Sequence, residues 1–279
     1  MRNLSAFGGS IDMKRLGCAI AACVAATHTY ATPLDRGDLA TFPTRDGITQ
    51  SLFIESPSPN PPWVIVLFPG TPGALHLDAT GATTLKGNFL IRSAHYWVDQ
   101  GDAVALVDTP SDNAQGVDDL FRLGKESFKD TQVVVATLRQ RFPNAKIALV
   151  GTSAGTVSVG NALQRDPALA DAFVLTSPVT FARRGGGTLA NLDVDGTTHR
   201  VLVVSNEHDA CVSSPAYAGK RLAEHNHFDF VSADSTEGGG DKSTDCGGHS
   251  PHGFLGIEKT VLGDIDGWLT GAAAAAVAK

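Results

Sequence analysis

Short apolar runs rich in β-branched residues alternate along the chain with longer amphipathic stretches. This rhythm restricts it to a mostly parallel central sheet flanked by helices. The run Trp63-Val64-Ile65-Val66-Leu67-Phe68 is apolar throughout, as a strand covered on both faces requires, and it stops at the breaker cluster Pro69-Gly70-Thr71-Pro72-Gly73. Ala103-Val104-Ala105-Leu106-Val107-Asp108 predicts the next strand, after a helix over 89–99. Leu120, Phe121, Phe128, Val133, Val134, Leu138 and Phe142 recur at helical spacing, which predicts one helix over 117–142 closed by Pro143-Asn144. Strands follow at 146–150, 172–176, 200–205 and 228–231, with helices over 154–164, 215–225 and 255–269. Parallel strands need right-handed crossovers, so their C-terminal ends collect on one edge, where ligand sites form.

At 279 residues and 42% hydrophobic, the chain can bury one large core, which predicts a single α/β domain over 32–279. The stretch 181–199, with Gly185-Gly186-Gly187, is too short for a large lid. The Gly/Ser/Thr/Asp-rich stretch 232–250 has no periodicity, and 272–278 reads as a simple helical tail or frayed end. A net charge of −7 and the lack of a long Lys/Arg run give no electrostatic footprint for nucleic acid or for an anionic membrane. Past the N-terminal segment no stretch approaches the length of a membrane span.

Residues 1–31 read as an extension followed by a signal peptide. Met13-Lys14-Arg15 is a basic start, and the apolar run from Leu16 to Ala26 follows it, with small residues offering cleavage after Ala26 or Ala31. A buried apolar helix is the competing reading, and Ile20-Ala21-Ala22-Cys23 offers a lipoprotein alternative. Export to the periplasm or beyond would remove Cys18 and Cys23 and leave Cys211 and Cys246, an even pair where disulfides are permitted.

Lys146-Ile147-Ala148-Leu149-Val150 runs directly into Gly151-Thr152-Ser153-Ala154-Gly155. An apolar strand thrown into a Gly-x-Ser-x-Gly turn is the pattern of a nucleophile elbow, in which small neighbours let a strained serine stand clear of the backbone. A serine hydroxyl is a weak nucleophile at neutral pH, so it needs a histidine to accept its proton and a carboxylate to orient that histidine. Asp209, past the strand at 200–205, and His252, before the last helix, follow Ser153 in that order.

With each residue at the end of a separate strand, that order resembles the α/β-hydrolase fold family over roughly residues 63–269. The resemblance implies a serine hydrolase of secreted bacterial type, without cofactor or metal, that cleaves a small or polymeric carboxylic ester through an acyl-enzyme. An amidase, peptidase or acyltransferase with the same triad is the alternative, as is a non-catalytic binding protein on the same scaffold. Within the resemblance Asp209 is preferred to Glu207 as the acid, because Cys211-Val212-Ser213-Ser214-Pro215 behind it looks like an acid loop. His252 is preferred to His249 as the base, because Ser250-Pro251-His252-Gly253 resembles small secreted hydrolases in which a cysteine stands a few residues earlier, here Cys246. A Cys211–Cys246 bridge would tie the acid loop to the base loop. The oxyanion donors expected are the amides of Ala154 and, in the turn after the first apolar strand, Thr71, since Pro72 has no N–H. His225 and His227 are weak metal ligands without a carboxylate or cysteine partner, and Asp108-Thr109-Pro110-Ser111-Asp112 either lines the cleft or caps a helix.

Overall fold

A computed structural model describes residues 32–182 and 186–271. The expected signal peptide at 1–31, the start of the glycine stretch and the 272–278 tail lie outside the described residues. The strands are β1 (Asp38–Arg45), β2 (Ile48–Glu55), β3 (Trp63–Phe68), β4 (Ala103–Val107), β5 (Lys146–Thr152), β6 (Ala172–Thr176), β7 (Val201–Asn206) and β8 (Asp229–Ala233). They form one sheet in the order β1-β2-β4-β3-β5-β6-β7-β8. From β4 to β8 every neighbouring pair is parallel, whereas β2 runs against both β1 and β4.

The helices are α1 (Phe89–Arg92), α2 (His95–Asp99), α3 (Asp119–Leu123), α4 (Lys125–Arg141), α5 (Gly155–Arg165), α6 (Ala216–Asn226) and α7 (Glu258–Thr270). Both faces of the sheet are covered, which is why β3, β4 and β6 are buried at every position. On one face Val134, Leu138, Val159, Leu163 and Leu222 of α4, α5 and α6 pack on Val64, Val66, Leu149 and Val203. On the other, Phe89, Leu90, Trp97, Leu262 and Ile265 of α1, α2 and α7 pack on Ile65, Leu67, Val150 and Val204.

Four features depart from the sequence expectation. The helix expected over 89–99 is two, α1 and α2, with Ser93 and Ala94 between them. The helix expected over 117–142 is two helices, because Gly124 is extended (φ −69°, ψ 162°) and ends α3 while starting α4. Asn161 on α5 compensates the break, its side-chain N–H groups donating to the carbonyls of Arg122 and Gly124 at 2.9 Å each. The last helix starts at Glu258 rather than near 255, because Phe254 and Gly256 have positive φ; a short 3-10 turn, Pro251–Gly253, precedes it. The β1–β2 hairpin has no counterpart in the apolar rhythm, since β1 is an edge strand with Pro43 inside it and a largely solvated pattern. Arg45 fastens that hairpin to the rest, donating from Nε to Asp130 at 2.8 Å and from a terminal nitrogen to Asp112 at 2.9 Å.

Candidate active site

Ser153 stands at the end of β5, ahead of α5, with φ at +52°. A non-glycine residue in the left-handed region costs roughly 1–3 kcal/mol and persists only when its surroundings fix it. Here the Ser153 N–H donates to the Thr176 carbonyl at 3.0 Å, and the Ser153 carbonyl accepts from the Thr156 N–H at 2.9 Å and its hydroxyl at 2.6 Å. The flanking glycines are required by close approach. A Cβ at Gly155 would overlap the Phe68 carbonyl oxygen, and one at Gly151 would lie 2.6 Å from the Gly155 carbonyl oxygen.

Across the strand ends, His252 Nδ1 lies 2.8 Å from Asp209 Oδ2, and both side chains are almost wholly buried. A carboxylate only accepts hydrogen bonds, so Nδ1 carries a proton, and the neutral form of the ring presents its lone pair at Nε2. That Nε2 is buried and, among the described residues, has no hydrogen-bond partner. Its bond to Ser153 is therefore not formed in this structure, although Ser153 and His252 line the same cleft of about 500 Å³. Asp209 Oδ1 accepts from the Cys211 N–H at 2.9 Å, which occupies both oxygens of the carboxylate.

The loop carrying His252 is held from several sides. Ser177, just past β6, donates its hydroxyl to the His252 carbonyl at 2.8 Å, and Asn206, at the end of β7, donates to the Pro251 carbonyl at 3.0 Å. Ser250 caps the 3-10 turn by accepting the His252 N–H and donates its own hydroxyl back to Asp245 and Gly247. Arg92 bridges the loop to α1, reaching the Gly253 carbonyl, the Gly87 carbonyl and Glu258. Cys211 and Cys246 form a disulfide, and both half-cystines line the cleft. The aperiodic stretch 232–250 thus ends β8 with its first two residues and continues as a loop anchored by hydrogen bonds that leave no trace in apolar periodicity. His249 also lines the cleft, but it is exposed, its ring packs on Gly87, and Asp209 does not reach it.

Thr71 and Ala154 both line the cleft, and among the described residues neither amide N–H donates to another protein group. The turn bearing Thr71 is braced from below. Arg122, 3% exposed, reaches the Gly70 carbonyl at 3.5 Å and the Ser158 hydroxyl at 3.1 Å, while a Cβ at Gly73 would lie 2.6 Å from one of its terminal nitrogens. Burial pulls the guanidinium down to about 10, partly offset by Asp119 and Asp118, so it stays charged at neutral pH. Sequence reasoning passed over Arg122, which reads as an ordinary polar position within a helical pattern.

The remaining expected residues lie elsewhere. Glu207 accepts from the Ser232 hydroxyl at 2.8 Å and does not meet His252. Asp108 neither lines the cleft nor caps a helix; its carboxylate accepts the N–H groups of Leu75, Leu77 and Thr109 and fixes the segment after β3. His227 faces Asp195 at 3.8 Å, and His225 borders a separate pocket. Among the described residues the group of three metal-type side chains within 4.8 Å is Asp209, Cys211 and His252, and Cys211 cannot offer a thiolate while it is in the disulfide.

No protein-family model and no curated protein sequence matches the chain. Solved structures do. An α-β serine hydrolase homologue from Coxiella burnetii aligns with a TM-score of 0.57 at 15% identity, over 82% of this chain and 97% of its own. A thermophilic esterase from Thermogutta terrifontis aligns at 0.58 with 14% identity, over 85% and 94%. The chain has the α/β-hydrolase fold. A further α/β-hydrolase, from Xanthomonas campestris and described as lacking a lid, aligns at 0.55 with 15% identity over 86% of this chain and 97% of its own. In the present chain, no inserted lid domain stands between β6 and β7 among the described residues. No helix among them is long and apolar enough to cross a membrane.

Proposed function

We propose that the chain is an exported serine hydrolase of a single domain, 32–279, that cleaves carboxylic esters through an acyl-enzyme on Ser153, His252 and Asp209. The observation that carries this reading is the divided imidazole of His252. Nδ1 is committed to a buried carboxylate, while Nε2 is buried, unpartnered and beside the cleft that holds a strained serine. Hydrogen bonds at such sites tighten when substrate binds, so the open Ser153–His252 geometry is compatible with base catalysis.

Ser153 Oγ attacks the ester carbonyl carbon and gives its proton to His252 Nε2. The carbonyl oxygen takes up negative charge and accepts from the free amides of Thr71 and Ala154, donors worth roughly 3–4 kcal/mol each in comparable sites. The C–O bond to the alcohol breaks, and the alcohol leaves with the proton from Nε2. Water then loses a proton to Nε2 and attacks the acyl carbon, and Ser153 recovers its proton as the acid departs. Asp209 holds the imidazole in one tautomer and stabilises its cationic form. The Cys211–Cys246 bridge and the 13–26 segment support export, since disulfides persist in oxidising compartments.

Labelling with a fluorophosphonate probe tests the nucleophile: the wild type is labelled and Ser153→Ala is not. Equal labelling of both would remove Ser153 from the mechanism. Matched ester and amide substrates test the reaction class, and a higher kcat/KM on the amide would replace the esterase reading with an amidase.

A further inference from the structure

A second pocket of about 340 Å³ is lined by Phe181, Ala190, Ala218 and Leu222 together with the exposed Arg221 and His225. On α6, Ala218, Arg221, Leu222 and His225 fall at helical spacings of three and four and so share one face. The segment 179–181 runs from the cleft to the pocket. Val179 lines the cleft, whereas Thr180 and Phe181 line the pocket, and residues two apart are separated by at most about 7 Å. The N–H groups of Thr180 and Phe181 both donate to the carbonyl of Ser213, itself a cleft residue.

Three observations point to a ligand with an apolar body and an anionic end. Phe181 and Tyr217 are 45% and 60% exposed, with ring centroids 6.3 Å apart, and Val212 beside Ser213 is 62% exposed. Large apolar groups are thus left in water on the acid-loop side of the cleft. Among the described residues neither Arg221 nor His225 has an ion-pair partner, in a chain whose net charge is −7. Thr180 lines the pocket, and its Oγ1 is buried without a hydrogen-bond partner among the described residues.

We propose that this pocket is a subsite for a carboxylate-ended chain: its apolar walls take an alkyl or aryl segment of an ester bound at Ser153, and Arg221 with His225 take the terminal carboxylate. The proposal rests on Ser153 as the nucleophile and narrows the substrate class to esters that carry a second, free acid group. Arg suits this task because its planar fork meets both carboxylate oxygens.

Two ester series locate the carboxylate. In one, p-nitrophenyl half-esters of dicarboxylic acids of increasing length place it on the acyl side; in the other, butyrate esters of ω-hydroxy acids place it on the alcohol side. Each is compared with the neutral ester of equal length. The expected result is a length optimum in one series, where Arg221→Gln lowers the ratio of kcat/KM, charged over neutral, about 5–10-fold, Arg221→Lys restores part of it, and added salt diminishes it. Octanedioate binding to Ser153→Ala by calorimetry needs no turnover and should weaken similarly in the Ser153→Ala, Arg221→Gln double variant. Hydrolysis of both ester types with a ratio unmoved by Arg221→Gln, and no octanedioate binding, would overturn the subsite and leave the esterase. Binding that depends on Arg221 without any ester turnover would retain the pocket and remove the esterase reading.

Discussion

Cys211 holds Asp209 through its own backbone: the half-cystine N–H donates at 2.9 Å to Oδ1, while Oδ2 faces His252 at 2.8 Å. The bridge from Cys211 to Cys246 therefore reaches the acid directly and the base loop at its other end. Removing it with Cys211→Ser and Cys246→Ser together frees a loop of 35 residues, for which chain entropy gives roughly 3–4 kcal/mol of lost stability. The expected kinetic signature is a fall in kcat larger than the change in KM, because the acid–base pair loses its frame before the cleft loses its shape. Denaturant unfolding and ester kinetics at a temperature where the variant remains folded would check both; an unchanged kcat would leave the bridge a purely stabilising element.

The two histidines in the cleft separate by their partners. Only His252 meets Asp209, whereas His249 is exposed and packs on Gly87. His252→Ala should lower kcat by about 10⁴-fold or more and slow fluorophosphonate labelling, since the serine loses its proton acceptor. His249→Ala should act chiefly on KM, by less than about 10-fold. A larger loss of kcat in the second variant than in the first would exchange their roles.

Legibility in the sequence followed the kind of force at work. β3, β6 and the strand before Ser153 are buried on both faces, so their composition announces them. β1 escaped because an edge strand with Pro43 buries too little to leave a pattern. The break at Gly124 escaped because the apolar spacing continues across it, and what sustains it is Asn161, remote in sequence. Chain order and strand ends left Glu207 and His249 open as well; the resemblance of the two loops singled out Asp209 and His252, the pair that meets at 2.8 Å. Arg122 was not legible, since its importance comes from the Gly70 carbonyl and the Ser158 hydroxyl, contacts between segments that no local pattern joins.

Arg122 supplies a test of the Thr71 turn. With its guanidinium gone, the Gly70 carbonyl loses a charged donor, and the next amide along the chain is the expected oxyanion donor. Arg122→Met should lower kcat about 10-fold with little change in KM, because the interaction that suffers is made to the developing oxyanion and not to bound substrate. Arg122→Lys should recover part of the loss by keeping a buried cation near Gly70. Proportionate losses in stability and in both kinetic constants would assign Arg122 to packing alone.

Asp102 makes stability depend on pH. Burial, with Asp266 nearby, raises its carboxyl from the usual 3.8 to about 7, against the opposing effect of the Trp63 N–H that it accepts. Between about pH 4 and pH 7 the folded chain keeps a proton that the unfolded chain has released, so this group's contribution to stability falls as pH rises through that window. Asp102→Asn retains an acceptor for Trp63 and cannot ionise. It should leave the melting temperature nearly unchanged at pH 4 and raise it by several degrees at pH 8, with the difference growing across the interval. A melting-temperature difference that stays constant from pH 4 to pH 8 would mean that Asp102 titrates alike in the folded and unfolded chain, and that its burial is compensated within the fold.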